Sequence, residues 1–126
     1  LGLSTVILAS LAISLYLSST PEEQPGKLAI NLTVNFGSSN TSKMITTTNG
    51  STVFDVLNSS FDVESKEFAG LGKLIIGING INQNSTHHWF YHVNGEFAQV
   101  AADKYKLYTD SAVYWKFTSE SEFATR

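Results

Sequence analysis

Three histidines, His87, His88 and His92, fall within six residues of one another, and imidazole is a ligand suited to zinc, copper or a corrinoid cobalt. On a strand, alternation would put His88 and His92 on one face. A metal set of ordinary composition would add a thiolate or carboxylate, but no carboxylate stands among them and Asp103 and Asp110 are distant in sequence. The histidines therefore read as solvated residues beside an Asn-x-Thr acceptor, and no metal is expected. Ser, His and Asp all occur, yet there is no Gly-x-Ser-x-Gly elbow, no glycine-rich phosphate cradle and no paired acidic motif. The absence of cysteine removes thiolate nucleophiles, disulfides, iron–sulfur clusters and zinc–thiolate sites together. The expectation is a protein that is not an enzyme and uses no cofactor.

The more abundant chemistry is modification. Asn31 (NLT), Asn40 (NTS), Asn49 (NGS), Asn58 (NSS) and Asn84 (NST) each head an Asn-x-Ser/Thr acceptor with no proline in the middle. Five acceptors in 126 residues exceed the one or two that an Asn-, Ser- and Thr-rich composition would give by chance, and point to an extracellular, glycan-coated surface. Asn31 could instead face inward from a strand and stay bare. Trp89, Phe90, Tyr91, Tyr105, Tyr108, Tyr114, Trp115 and Phe117 form a dense aromatic set, readable as a ligand platform or as strand core with subunit contacts.

These residues need elements to position them. At 13.8 kDa the chain has room for one core. A net charge of −3 with eight scattered basic residues gives no footprint for a phosphate backbone, so nucleic acid is not an expected partner. Residues 27–36 alternate Leu28, Ile30, Leu32, Val34 and Phe36 with polar or small partners, the pattern of a half-buried strand. Residues 42–48 return as a β-branched strand, and Asn49 or Ser51 can cap a short helix carrying Val53, Phe54, Val56 and Leu57. Residues 73–78, 89–93 and 112–117 supply further strands, with a tight turn at Asn94-Gly95. The order β-β-α-β-β-β predicts an α+β roll, β-grasp-like, with the helix over one face of a single sheet.

Residues 1–20 carry no charge, and as a helix would be about 30 Å long, enough to span a bilayer. Apolar side chains all round that helix would cost about 10 kcal/mol or more in water, so they need lipid or other helices. Ser10, Ser14 and Ser18 make a small-residue stripe, which is either a helix-packing surface or serine tolerated in an anchor. Residues 21–27, holding both prolines, form a linker. The domain expectation is a hydrophobic assembly or membrane helix at 1–20, a linker at 21–27 and a globular domain at 28–126.

LGLSTVILASLAI at the start of the chain resembles an archaeal type IV pilin, a family processed by cleavage before its hydrophobic segment; a chain starting at Leu1 rather than Met fits such processing. Bacterial pilins usually carry Glu at the fifth mature position, where this chain has Thr5. The resemblance implies a structural subunit of an extracellular filament, with Leu3, Val6, Ile7, Leu8, Ser10, Leu11, Ser14, Leu15 and Ser18 bundled in the core of a homopolymer. It also implies a membrane-inserted precursor and the pilus assembly machinery as partners. A second resemblance lies in TVFDVL at residues 52–57, GKLIIGINGI at 72–81, WFYHVNGE at 89–96, DKYKL at 103–107 and AVYWKF at 112–117. These are similar to the C-terminal β-grasp domain of transcobalamin and intrinsic factor. Here Asp110-Ser111 replaces that family's Gly-Asp. This likeness implies, as the alternative function, a membrane-anchored cell-surface module binding a small ligand such as cobalamin. In that family the small domain closes over a ligand held mainly by a larger helical domain.

Overall fold

The computed structural model of the chain describes residues 26–119 and 121–122. Strand β1, Lys27–Asn35, follows its apolar alternation: Leu28, Ile30, Leu32 and Val34 are buried, while Lys27, Ala29 and Asn31 face out. Burial of each such side chain contributes about 1.5–3 kcal/mol, which fixes the register, since a slip of one residue would turn all four toward water. β1 pairs antiparallel with β2, Asn40–Thr48, from Lys27↔Thr48 to Asn35↔Asn40.

Helix α1, Val53–Ser60, packs Val53, Val56 and Leu57 into the core. Its cap is Thr52, not Asn49 or Ser51. Thr52 Oγ1 accepts from the Asp55 amide and Asp55 Oδ2 accepts from the Thr52 amide, both at 3.0 Å, so two orphan donors are satisfied reciprocally. Asn49 and Ser51 are used otherwise: the Asn49 amide donates to Gly26 O, and Ser51 Oγ receives the Thr47 hydroxyl.

After α1 come β3 (Val63–Phe68), β4 (Gly72–Ile78), β5 (Ile81–Asn82), β6 (His87–Val93), β7 (Glu96–Phe97), a 3-10 turn at Ala102–Lys104 and β8 (Ser111–Ser119). Asn79-Gly80 and Asn94-Gly95, all at positive φ, turn β4 into β5 and β6 into β7, as two-residue hairpins require. β8 is parallel to β1 and antiparallel to β6, giving one sheet in the order β2-β1-β8-β6-β7. β3, β4 and β5 form a second, three-stranded sheet.

The expected α+β roll is thus corrected to a mainly β sandwich of two sheets with one short α-helix among the described residues. The core draws on both sheets, with Ile75 and Ile78 from one and Val34, Trp89 and Trp115 from the other. Two features conceal the second sheet in the sequence. β3 is exposed at almost every position and is held by backbone pairing to β4, so it shows no apolar period. β4, GKLIIGI, reads as one more apolar strand, and nothing in it marks that it pairs with β3 and β5 instead of the main sheet. The long helix expected at 1–20 lies outside the described residues, and none of the helices among them is long and apolar enough to cross a membrane.

Candidate functional site: an apolar cleft between the two sheets

β7 reaches only His92 and Val93 of β6, and β5 reaches only Gly77 and Ile78 of β4. The remaining lengths of β4 and β6 line a cleft of about 850 Å³, with residues 72–75 on one side and 88–91 on the other. Residues 97–102 and Lys104 complete its wall. Of eight large hydrophobic side chains exposed on the described surface, five line this cleft: Phe68, Leu71, Leu74, Phe97 and Val100. Leu71 is 71% exposed and Val100 51%. Isolated apolar residues on a surface mean little, but a concave cluster of them is the usual form of a small-molecule site.

The deep side is aromatic. Tyr91 and Trp115, both buried, stack with ring centroids 4.7 Å apart and an interplanar angle of 26°. The Tyr91 hydroxyl donates to Val100 O at 2.7 Å, and Tyr91 O accepts from the Ala98 amide at 3.0 Å, so one residue of β6 pins the wall loop twice. Burial, reinforced by Tyr105 and Asp103, pushes the Tyr91 phenol well above its ordinary pKa, so it stays a donor. Trp89 donates its indole N–H to Ile81 O at 2.9 Å, whereas the buried Trp115 Nε1 has no hydrogen-bond partner.

The opposite end of the wall is held through Asp103, whose Oδ1 accepts from the Lys73 amide at 2.9 Å. This close approach depends on Gly72: its φ is +112°, and a Cβ there would lie 2.5 Å from Asp103 Oδ1 and 2.8 Å from Ala101 Cβ. Lys73 and Lys104 are among the lining residues, with Lys73 Nζ held 4.8 Å from the ring centroid of Phe54, outside the cleft. The arrangement offers apolar contact, aromatic faces and cationic groups, the equipment for holding a ligand with an apolar body.

Of the residues singled out in the sequence, His88 and Phe90 line the cleft, as do Trp89, Tyr91 and Trp115, which are also core. Trp89, Tyr91 and Trp115 thus serve both the core and the cleft, while Phe90 lines the cleft without belonging to the buried core. Tyr105 packs on Tyr91, Tyr114 accepts from Asn35, and Tyr108 is exposed. His87 contacts Thr86 through Nδ1 and stacks near Phe117, while His92 lies against Phe97 and Tyr114. Among the described residues no group of three or more His, Cys, Asp or Glu could hold a metal ion.

Asn31, Asn40, Asn49, Asn58 and Asn84 are all exposed and none lines the cleft; Asn31 is on the outer face of β1 rather than turned inward. Leu3, Val6, Ile7, Leu8, Ser10, Leu11, Ser14, Leu15 and Ser18 lie outside the described residues. Sequence reasoning missed the wall loop and Gly72. The Gly70-Leu71-Gly72 run was a usable signal, but residues 97–102 (FAQVAA) have no period that would distinguish a wall from a loop.

The chain shares its fold with haptocorrin, solved in complex with Cbi, at a TM-score of 0.65 and 18% identity over 79% of this chain. The chain spans 27% of the haptocorrin chain's length. A Ruminococcus gnavus protein provisionally described as metal binding gives a TM-score of 0.61 at 21% identity, with 73% of this chain and 97% of that one covered. Comparison with curated proteins finds no match. The chain belongs to the family described as a domain of unknown function, DUF4430, which matches residues 50–119.

These likenesses uphold the transcobalamin-type resemblance at the level of fold and withdraw the pilin one. The family match lies wholly in the domain, the fold is mainly β, and the pilin resemblance rested on about twenty uncharged residues whose composition any apolar segment can share. The filament, the homopolymer and the pilus assembly machinery go with it.

Proposed function

We propose that this chain is a cell-surface module that captures a small ligand with an apolar body, a corrinoid such as cobalamin being the leading candidate. One observation carries the proposal: most of the large apolar side chains exposed on the described surface converge on a single concave site between the sheets. The shared fold with haptocorrin supports the corrinoid class. A cleft of about 850 Å³ covers one face of so large a molecule, in keeping with a domain that closes over a ligand held elsewhere. The five exposed acceptors support an extracellular setting, with the uncharged residues 1–20 as membrane tether. We read the module as one that binds rather than reacts, with His88, Lys73 and Lys104 among the residues around its apolar contacts.

Spectral titration of the full chain with cobalamin tests this. Saturable perturbation of the corrinoid absorption, with one ligand per chain, is the expected result. An unchanged spectrum at millimolar protein would end the corrinoid assignment.

A further inference from the structure

The two sheets expose four edges among the described residues, and three are blunted. β5 and β7 are two residues long, and β3 presents Glu64, Lys66 and Glu67. Short strands and projecting charges are the ordinary defences against edge-to-edge pairing. The fourth edge, β2, is guarded by a single charge. It runs for nine residues, pairs with β1 in unbroken register, contains no proline, and reads NTSKMITTT, with Met44 67% exposed. Its only charge, Lys43, is drawn toward α1 and the turn after it: Nζ donates to Ser60 O at 3.1 Å and lies 4.7 Å from the centre of the Phe61 ring. A long, regular, β-branched edge whose one lysine is held against its own chain is a weakly guarded template for another strand.

The glycan acceptors are placed where that defence is weak. Asn40 is the first residue of β2 and Asn49 the residue after its last, both exposed. At about 3.4 Å per residue they bracket the free edge at both ends. A third, Asn31, stands directly across from Met44 on β1, on the outer face. None of the three lines the cleft. We infer that N-linked glycans at Asn40 and Asn49 guard the β2 edge, blocking strand addition by a second copy while leaving the ligand cleft open. The inference rests on the extracellular reading above, but not on the identity of the ligand.

The test uses the full chain made in a host that N-glycosylates, with site occupancy read by mass spectrometry of the Asn40 and Asn49 peptides. Hydrogen exchange in β2 is then compared for the glycoprotein, the enzymatically deglycosylated protein, and N40Q/N49Q. The expected result is both sites occupied and fast exchange at the outward amides of β2 in the glycoprotein. After sugar removal those amides exchange about tenfold more slowly, with the slowing growing with protein concentration. Adding Met44→Lys to N40Q/N49Q restores fast exchange, because a charge re-blunts the edge. Bare Asn40 and Asn49 would overturn the extracellular reading and the guard together. Occupied sites with unchanged exchange after deglycosylation would overturn the guard alone, as would β2 amides already protected in the intact glycoprotein. Cobalamin titration of the same samples reports separately on the cleft.

Discussion

The Tyr91 hydroxyl donates to the Val100 carbonyl at 2.7 Å, linking the strand beneath the cleft to the loop that walls it. Tyr91 also stacks on Trp115, so the position of the wall is set by a residue whose ring belongs to the core.

Tyr91→Phe keeps the ring and removes the tie. A net loss of about 0.5–1.5 kcal/mol is expected in urea unfolding, with a larger proportional loss in ligand binding, because the loop around Val100 is freed. Equal stability and affinity in the variant would show that the hydrogen bond does not hold the wall.

The same phenol predicts an alkaline limit. Its pKa is raised in the folded state, mainly by burial, so the folded chain holds the proton after the unfolded chain has released it. The stabilisation is complete below the unfolded value of about 10 and is lost as pH rises above it. Denaturation midpoints measured between pH 9 and 11 should fall more steeply for the wild type than for Tyr91→Phe; parallel curves would refute the assignment.

Gly72→Ala should be costly for two reasons that act together: a φ of +112°, and a Cβ that would press on Asp103 and Ala101. A loss of about 1–3 kcal/mol is expected from the backbone strain. Loss of slow exchange at the Lys73 amide, which donates to Asp103, would locate the damage at the wall. Full stability would mean the loop shifts freely.

Thr52→Ala removes the Oγ1 that caps α1. The expected cost is about 1 kcal/mol with ligand binding unaltered, since neither Thr52 nor Asp55 lines the cleft. Ser51→Ala leaves that cap intact, and a larger cost for Ser51→Ala than for Thr52→Ala would put the cap where the sequence alone suggested.

Much of the fold could be read from the chain because burial and local turn chemistry wrote it there. β1 shows its alternation, Asn94-Gly95 its turn, and α1 its apolar spacing. β3 could not be read, since its stability comes from backbone hydrogen bonds to β4 and its side chains face water. The cap went to Thr52 over its neighbours because Asp55 lies three residues on, a reciprocal pair visible in the sequence but outweighed there by Asn49 and Ser51. The site was half legible. Trp89, Phe90, Tyr91 and Trp115 stood out as aromatic, but their cleft lies beyond the ends of β5 and β7, each two residues long, a length no local pattern encodes. Residues 1–20 led furthest astray: their apolar character is real, yet composition alone does not distinguish a filament core from a tether.

Leu71→Asp and Leu74→Asp place charges on exposed apolar positions of the cleft. Stability should change by no more than about 0.5 kcal/mol, while cobalamin affinity should fall by about tenfold or more through loss of apolar contact and burial of a charge. Unchanged affinity in both variants would place the ligand elsewhere.

The most direct measurement is hydrogen exchange of the full chain with and without saturating cobalamin. The cleft account predicts slowed exchange at residues 72–75 and 98–104, with β2 unaffected. Binding that protects neither segment would contradict it.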